Sequence, residues 1–208
     1  MYLVGTRGET MDNIKAIERS IITNFRKPLW RRFIKGIQDY ELIEPGDKIA
    51  VCISGGKDSM LLAKLLQELQ RHGKFHFDLE FICMDPGYNP ANRKLIEENA
   101  EKLGIPIQFY ESDIFNVVHG IEKNPCYLCA RMRRGFLYNR AQELGCNKIA
   151  LGHHMDDILE TLLMNITYQG AFSTMPPRLV MKKFDMTIIR PMCMVHEADL
   201  VELAMLHD

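Results

Sequence analysis

The stretch VCISGGKDSML, residues 51–61, runs from an apolar segment through two glycines into an apolar pattern with helical spacing. A strand that turns through glycines into a helix leaves unpaired backbone N–H groups pointing at one small volume. Such a volume favours an anion, so the stretch predicts a phosphate site. The simpler alternative is that the glycines only turn the chain and that Asp58 caps the helix.

The side chains of this loop suit a phosphate, except for one carboxylate. Two glycines permit close approach of the backbone, two hydroxyls can hydrogen-bond and one ammonium supplies charge. These residues are Ser54, Gly55, Gly56, Lys57 and Ser59. Asp58 would repel a phosphate unless a cation or backbone N–H groups hold it. It also stands where the Walker A motif requires serine or threonine, so that motif is excluded.

Outward from the loop, short apolar runs alternate with helical patterns. The runs predict strands at 48–53, 79–84, 106–110, 148–151 and 187–189, and the patterns predict helices at 59–71, 92–103, 127–144 and 156–168. This alternation predicts an α/β fold of three layers, with a central parallel sheet of about five strands covered on both faces. Ligands of such sheets bind at the carboxyl ends of the strands.

Residues 1–45 predict an N-terminal helical arm with a basic face, broken near Pro28. Residues 46–208 form the predicted α/β domain. The net charge of −1 excludes a uniformly basic nucleic-acid binder, so any RNA contact must come from a local patch. The sequence has no apolar run of about 18 residues or more, which predicts a soluble, cytoplasmic protein without a membrane partner.

Six cysteines in this chain do not resemble the disulfide framework of a small secreted domain. The close pair Cys126 and Cys129 is typical of a metal-binding or redox-active site, and its place at the start of a helix favours thiolates. A merely packed pair is the alternative.

The segment GHHMDD, residues 152–157, follows the fourth predicted strand. Gly152 allows close approach of a ligand, and Asp156 or Asp157 could bind Mg²⁺ together with phosphates. Alternatively, one aspartate caps the next helix. Adjacent histidines diverge, so His153 and His154 are poor candidates for one metal ion.

Four motifs together carry a family resemblance over residues 25–205. They are GDKIAVCISGGKDS at 46–59, PCYLC at 125–129, LGHHMDDILETLLMN at 151–165, and MPPRL at 175–179 with IRPM at 189–192. The loop resembles that of the PP-loop ATPases, and the set resembles the TtcA-type tRNA 2-thiocytidine synthetases and their relatives. The resemblance implies the adenine nucleotide alpha hydrolase-like fold. It also implies an ATP-dependent tRNA sulfurtransferase that adenylates the C2 oxygen of a cytidine and replaces it with sulfur, releasing AMP and pyrophosphate.

The resemblance also implies site residues. Residues 54–59 would hold the pyrophosphate, with Lys57 and Asp58 among the catalytic residues. The other residues implied to contact ATP are Cys52, Cys83, Met84, Arg133, Gly152 and Asp157, the last also as a Mg²⁺ ligand.

For sulfur transfer, the family implies catalytic Cys126 and Cys129 as ligands of a [4Fe–4S] cluster with a third cysteine downstream. No family position for that third cysteine occurs in this sequence, so the expectation is a chain lacking the family's C-terminal cysteine segment; Cys146 and Cys193 are conceivable substitutes. A persulfide on the pair without iron is the alternative.

The implied partners are tRNA and a sulfur donor such as a cysteine desulfurase, with a homodimer as a further expectation. A candidate RNA surface combines basic residues of the arm with those after the cysteine pair: Arg31, Arg32, Lys35, Arg131, Arg133, Arg134 and Arg140, with Trp30 and Tyr127 for stacking. Such residues are also typical of a solvated face. The alternative functions are a 2-thiouridine or lysidine type of tRNA-modifying enzyme, and a nucleotide-binding module without sulfur transfer.

Overall fold

The computed structural model of the chain describes residues 7–112 and 125–207. Its helices are α1 (Arg7–Ile22), α2 (Arg31–Asp39), α3 (Lys57–His72), α4 (Pro90–Leu103), α5 (Pro125–Glu143), α6 (Met155–Met164) and α7 (Glu197–Leu206). Its strands are β1 (Lys48–Ile53), β2 (Asp78–Asp85), β3 (Ile107–Glu111), β4 (Lys148–Ala150), β5 (Arg178–Met181) and β6 (Met186–Ile189). Short π-helical turns cover Arg26–Trp30 and Asn165–Gln169.

One sheet of six strands forms the centre of the fold, in the order β3-β2-β1-β4-β6-β5. The first five strands in this order run parallel, and β5 pairs antiparallel with β6 at one edge. Strand β1 lies between β2 and β4, and its Ile49 pairs with Leu79 and with Lys148. The parallel sheet is confirmed, and its carboxyl edge gathers the segments that follow β1, β2, β3, β4 and β6.

The estimate of about five strands misses the antiparallel edge strand β5. Its apolar run covers only Leu179, Val180 and Met181, and the strand is mostly exposed in the fold. Two prolines, Pro176 and Pro177, stand directly before it and favour a loop. The strand forms because the turn Lys182–Phe184 folds it back onto β6.

The two N-terminal helices pack into the same apolar core as one face of the sheet. The buried side chains of these helices and of the segment that joins them recur about every four residues: Ile17, Ile21, Phe25, Leu29, Phe33 and Ile37. The arm is interrupted near Pro28 as predicted, since α1 ends at Ile22 and a π-helical turn precedes α2, but the apolar stripe continues through this interruption. Burying a side chain of this size stabilises the fold by about 1.5–3 kcal/mol.

Helix α5 covers the opposite face of the sheet. Its Tyr138 and Ala141 pack on Ala50, Ile82 and Ile149. Helices α3 and α4 and the N-terminal helices lie on the first face, which gives the predicted three layers. Within the described ranges, no helix combines the length and apolar character needed to cross a bilayer.

Candidate functional site

The glycine loop after β1 is held in shape by the hydroxyl of Ser59. Its Oγ accepts a hydrogen bond from the Ser54 backbone N–H at 3.1 Å and donates one to the Gly56 carbonyl at 2.9 Å. No side chain caps the start of α3, so Asp58 does not serve as its cap. The first N–H groups of α3 therefore have no side-chain acceptor, as an anion site requires.

Two glycines permit the close packing around this loop. Gly55 has a φ of +88°, and a Cβ atom there would lie 2.6 Å from Cγ1 of Ile96 on α4. A Cβ atom on Gly152 would lie 3.2 Å from the backbone of Asp58 and Ser59. Gly152 thus brings the loop after β4 against the first turn of α3, so its small size serves packing within the site.

Lys57 lies between two carboxylates. Its Nζ is 2.8 Å from Oε1 of Glu197 and 3.1 Å from Oδ1 of Asp58. The hydrogen bond with Glu197 is the main cause that raises the pKa of Lys57, so the ammonium form is favoured. The Asp58 Oδ1 atom is buried and has no hydrogen bond of acceptable geometry.

The two aspartates after β4 both act as helix caps. Asp157 Oδ2 accepts a hydrogen bond from the His154 backbone N–H at 2.9 Å, and His154 Nδ1 accepts one from Asp157 N–H at 3.4 Å. Asp156 Oδ2 accepts one from the Glu197 backbone N–H at 2.7 Å, at the start of α7. The capping alternative is therefore what the geometry shows, and contact of Asp157 with ATP or Mg²⁺ stays a prediction.

At the end of β2, Cys83 and Met84 are buried, and Cys52 lies beside them on β1. Burial raises the pKa of Cys83 to about 11 and that of Cys52 to about 12. Both groups are therefore neutral thiols at physiological pH. They can line a nucleotide site through backbone and apolar surface, but they are unsuited to attack sulfur or bind a metal as thiolates.

Helix α5 brings Arg133 to the carboxyl end of β2. The Arg133 guanidinium lies near Tyr88, which follows β2. Burial raises the pKa of Tyr88, and the positive charge of Arg133 opposes this rise. Met84 packs against Leu128 and Met132 of the same helix. Arg133 thus lies on the same edge of the sheet as the phosphate loop.

Cys126 and Cys129 lie in the first two turns of α5, but their side chains are outside the described set. Among the side chains that are described, no three of His, Cys, Asp or Glu are grouped to hold a metal ion. Cys146 follows the far end of α5, a helix of 19 residues that is about 28 Å long. Cys193 is buried against Gly36 of α2. Neither is suited to complete a cluster with the pair.

Four buried side-chain atoms of the described residues lack a hydrogen-bond partner: Asp58 Oδ1, Ser112 Oγ, His153 Nδ1 and Arg190 Nε. Each follows the end of a parallel strand, respectively β1, β3, β4 and β6. Unpaired buried polar atoms are costly, and their concentration at one edge is typical of a ligand site.

Two polar residues of this edge are absent from the sequence-based set. Glu197 is separated from Lys57 by 140 positions, so no local spacing could reveal their contact. Arg190 is buried, and its Nη1 donates to the Pro176 carbonyl at 2.6 Å. A charged residue directly after an apolar strand was a usable signal for Arg190, because strand ends carry the ligand site.

The basic residues proposed for RNA contact divide between the two faces of the sheet. The arm lies on one face and α5 on the other, with the carboxyl edge between them. Part of the charge is already paired, since Arg32 binds Asp199 at 3.0 Å and Arg140 binds Glu143. Trp30 is half-buried and packs against the core. RNA contact across the carboxyl edge stays a prediction.

The parallel sheet and the glycine loop at its carboxyl edge define an α/β protein of the adenine nucleotide alpha hydrolase-like type. The model of the PP-loop domain matches residues 22–208, and the chain therefore belongs to the PP-loop family of ATP-binding domains.

Curated relatives share about two fifths of their aligned residues with this chain. The tRNA-cytidine(32) 2-sulfurtransferase of Aeromonas hydrophila is 41% identical over 199 residues, which cover 93% of this chain and 65% of that protein. The protein of the same name from Neisseria meningitidis serogroup C is 43% identical over 171 residues, covering 81% of this chain and 54% of that protein. The chain thus spans less than two thirds of the length of these relatives.

Solved structures agree with the fold. The U34-tRNA thiolase NcsA from Methanococcus maripaludis, with its [4Fe–4S] cluster, superposes with a TM-score of 0.64 at 22% identity, covering 95% of this chain and 64% of that one. The phosphoadenylyl-sulfate reductase from Candida auris gives a TM-score of 0.52 at 12% identity, covering 99% of this chain and 89% of that one. At these identities the likeness concerns the fold alone.

Proposed function

We propose that this protein acts in ATP-dependent thiolation of tRNA, forming 2-thiocytidine. The observation that carries the proposal is the meeting of two features at one edge of the sheet. The phosphate loop follows β1, and α5, which begins with the cysteine pair, starts at the same edge and carries Arg133. The names of the relatives from Aeromonas and Neisseria support the same reaction.

The first half of the reaction uses the phosphate loop. ATP would place its β- and γ-phosphates on the open N–H groups of α3 and on Lys57, while its adenine lies near Cys52 and Met84. The cytidine C2 oxygen attacks the α-phosphorus and pyrophosphate leaves from the loop. The chain contributes mainly positioning and charge stabilisation.

Asp58 is the better placed carboxylate for Mg²⁺. Its Oδ1 is buried and has only the ion pair with Lys57 and no hydrogen bond, whereas Asp157 Oδ2 is occupied as a helix cap. Mg²⁺ commonly takes one or two carboxylates together with phosphates and waters. A metal there would also neutralise the repulsion between Asp58 and the phosphates.

The second half delivers sulfur at Cys126 and Cys129. The thiolates are favoured at the start of α5 by the helix dipole. A [4Fe–4S] cluster bound there would supply an iron atom that carries the sulfur, but it needs ligands beyond these two cysteines. The cysteines at 52, 83, 146 and 193 do not fit that need, because desolvation raises the pKa of each thiol. Sulfur at the hydrosulfide level then attacks C2 of the activated cytidine, and AMP leaves with the electron pair of the C–O bond. A donor such as a cysteine desulfurase supplies the next sulfur as a persulfide, and a thiol reductant provides the two electrons that bring it to the hydrosulfide level.

Analysis of tRNA nucleosides tests the proposal. The gene and its variants are expressed in bacteria that lack their own 2-thiocytidine enzyme, and nucleosides of total tRNA are quantified by mass spectrometry. The wild-type protein should restore 2-thiocytidine, and Lys57→Met should abolish it. Lys74→Met is the matched control, because Lys74 is exposed in the turn after α3, at the other edge of the sheet.

Two further variants separate the half-reactions. Cys126→Ser and Cys129→Ser should lose 2-thiocytidine but keep tRNA-dependent release of pyrophosphate from ATP. Formation of 2-thiouridine or lysidine instead would assign the alternative enzymes. ATP binding without pyrophosphate release would identify a nucleotide-binding module and refute thiolation.

A further inference from the structure

The inference concerns Glu197, which contacts the phosphate loop from the far end of the chain. Glu197 is the first residue of α7, and its Oε1 lies 2.8 Å from Lys57 Nζ. No glycine-loop pattern contains this carboxylate, and it belongs to a different element from the other polar groups around Lys57. Its carboxylate nevertheless binds Lys57, the one lysine of the loop.

A backbone hydrogen bond and the packing of its helix fix the position of the Glu197 backbone. Its backbone N–H donates to Asp156 Oδ2 at 2.7 Å, which supplies the cap that the His196 side chain does not provide. Two residues of the same helix, Leu200 and Leu203, are buried in the core beside α3. The helix therefore holds the backbone of Glu197 in a fixed position beside Lys57.

Glu197 competes with a bound anion for the ammonium group of Lys57. One ammonium faces two carboxylates, Asp58 and Glu197, so the loop carries a formal excess of one negative charge. A phosphate oxygen must approach the same ammonium that Glu197 holds. Glu197 is about half exposed, which leaves room for exchange between the carboxylate and a phosphate.

We propose that Glu197 is a positioning residue of the phosphate loop, which holds Lys57 through an ion pair that a phosphate oxygen of the nucleotide replaces. Glu197 thereby sets the affinity of the loop for the pyrophosphate end of ATP. The proposal rests on phosphate binding at this loop, which is part of the proposed function, but not on transfer of sulfur. When a phosphate oxygen binds Lys57, the ion pair between Glu197 and Lys57 breaks. The hydrogen bond from the Glu197 backbone N–H to Asp156 remains.

Titration calorimetry with inorganic pyrophosphate, without divalent metal, tests the proposal. Glu197→Gln keeps the size of the side chain and removes the competing charge. Because Glu197 is solvent-exposed, its competing charge has a modest effect, and pyrophosphate should bind about two- to fivefold more tightly to this variant. The gain should shrink in about 1 M salt, where charges are screened. Glu202→Gln is the matched control, since it removes the same charge from an exposed position on the same helix.

Equal gains in the two variants would show a general effect of charge and overturn the proposal. Unchanged or weaker binding by Glu197→Gln would also overturn it. If that variant lost affinity for ATP only in the presence of Mg²⁺, Glu197 would be a metal ligand instead. Failure of the wild-type protein to bind either pyrophosphate or ATP would refute the phosphate site itself, and with it both proposals. Loss of 2-thiocytidine formation with pyrophosphate binding intact would refute only the proposed function.

Discussion

At the scale of single residues, Gly55 is the position where the phosphate loop depends most on the absence of a side chain. Its φ of +88° disfavours any L side chain, and Ile96 fills the space that a Cβ atom would need. Alanine there must strain the backbone and displace α4. We expect Gly55→Ala to lower the free energy of unfolding by about 1–3 kcal/mol. It should also weaken pyrophosphate binding by about tenfold or more, because misplaced groups lose most of their binding effect.

Urea unfolding and calorimetry measure these two effects, and another glycine separates their causes. Gly170 has a φ of +63° with open space around its Cβ position. Gly170→Ala should therefore show the cost of the dihedral angle, about 1 kcal/mol, without loss of pyrophosphate binding. Equal binding by the Gly55→Ala variant and the wild-type protein would contradict a phosphate role for the loop.

The sequence predicts those residues of the site that lie close together along the chain. It misses residues that are distant in sequence and meet only in the fold. The roles of Ser54, Gly55 and Ser59 follow from the order strand, glycines, helix. Glu197 could not be found in this way, because its contact with Lys57 depends on the packing of α7 against α3. Asp157 shows a different limit. Its residue type fits both a metal ligand and a helix cap, and the cap becomes visible only in the folded structure.

At the scale of elements, a buried ion pair joins α1 to α3. The Lys64 side chain is fully buried, and its Nζ lies 2.8 Å from Glu18 Oε1 and 2.9 Å from Gln67 Oε1. Removing one partner of a buried pair leaves an uncompensated charge. We expect Glu18→Gln to lower the free energy of unfolding by about 3 kcal/mol, as measured by urea denaturation. Asp39→Asn breaks an exposed pair with Lys35 and should cost about 0.5 kcal/mol or less.

The pH dependence of this effect has a definite sign. Burial alone would raise the pKa of Glu18, but hydrogen bonds from Arg71 and Lys64 outweigh it and hold the pKa below the ordinary value of 4.5. The stabilisation is therefore complete above about pH 4.5 and is lost as the pH falls through the lower pKa of the folded state. The difference between the wild-type protein and Glu18→Gln should shrink in acid, and a constant difference would contradict the assignment.

The elements themselves were predictable in proportion to their burial. The strands β1 and β2 form apolar runs that are buried on both faces, and both are predicted to within a residue at each end. The exposed edge strand β5 has an apolar run of only three residues, and the two prolines before it favour a loop. Helix α6 ends at Met164, four residues before its predicted end, because the chain continues as a π-helical turn with similar local spacing.

At the scale of the whole molecule, the two edges of the sheet differ in how well their polar groups are paired. At the amino edge, the buried Lys148 binds Asp47 at 2.7 Å and donates to the Leu42 carbonyl at 3.1 Å, while Asn147 binds Asp47 at 2.8 Å. The carboxyl edge holds the four buried atoms without partners in the described chain. The fold is thus closed at one edge and left with unmet hydrogen-bonding capacity at the other, where a ligand would supply the missing partners.

This asymmetry predicts where and how much a nucleotide stabilises the protein. ATP at one hundred times its dissociation constant should raise the free energy of unfolding by about 2.7 kcal/mol. For a chain of this size that corresponds to a rise in melting temperature of about 5–10 °C. Hydrogen exchange should slow in residues 54–60, 151–157 and 190–197, which line the carboxyl edge, and stay unchanged around Lys48 and Asn147 at the amino edge.

Differential scanning fluorimetry and hydrogen-exchange mass spectrometry measure the two effects, with Lys57→Met as the variant that should lose both. Slower exchange spread evenly over both edges would contradict a localised site. Protection confined to the amino edge would place the nucleotide at that edge and contradict the proposed site. Because ligand binding and global stability are linked, a rise in melting temperature alone is insufficient, and the pattern of protection decides whether the unpaired groups of the carboxyl edge receive the nucleotide.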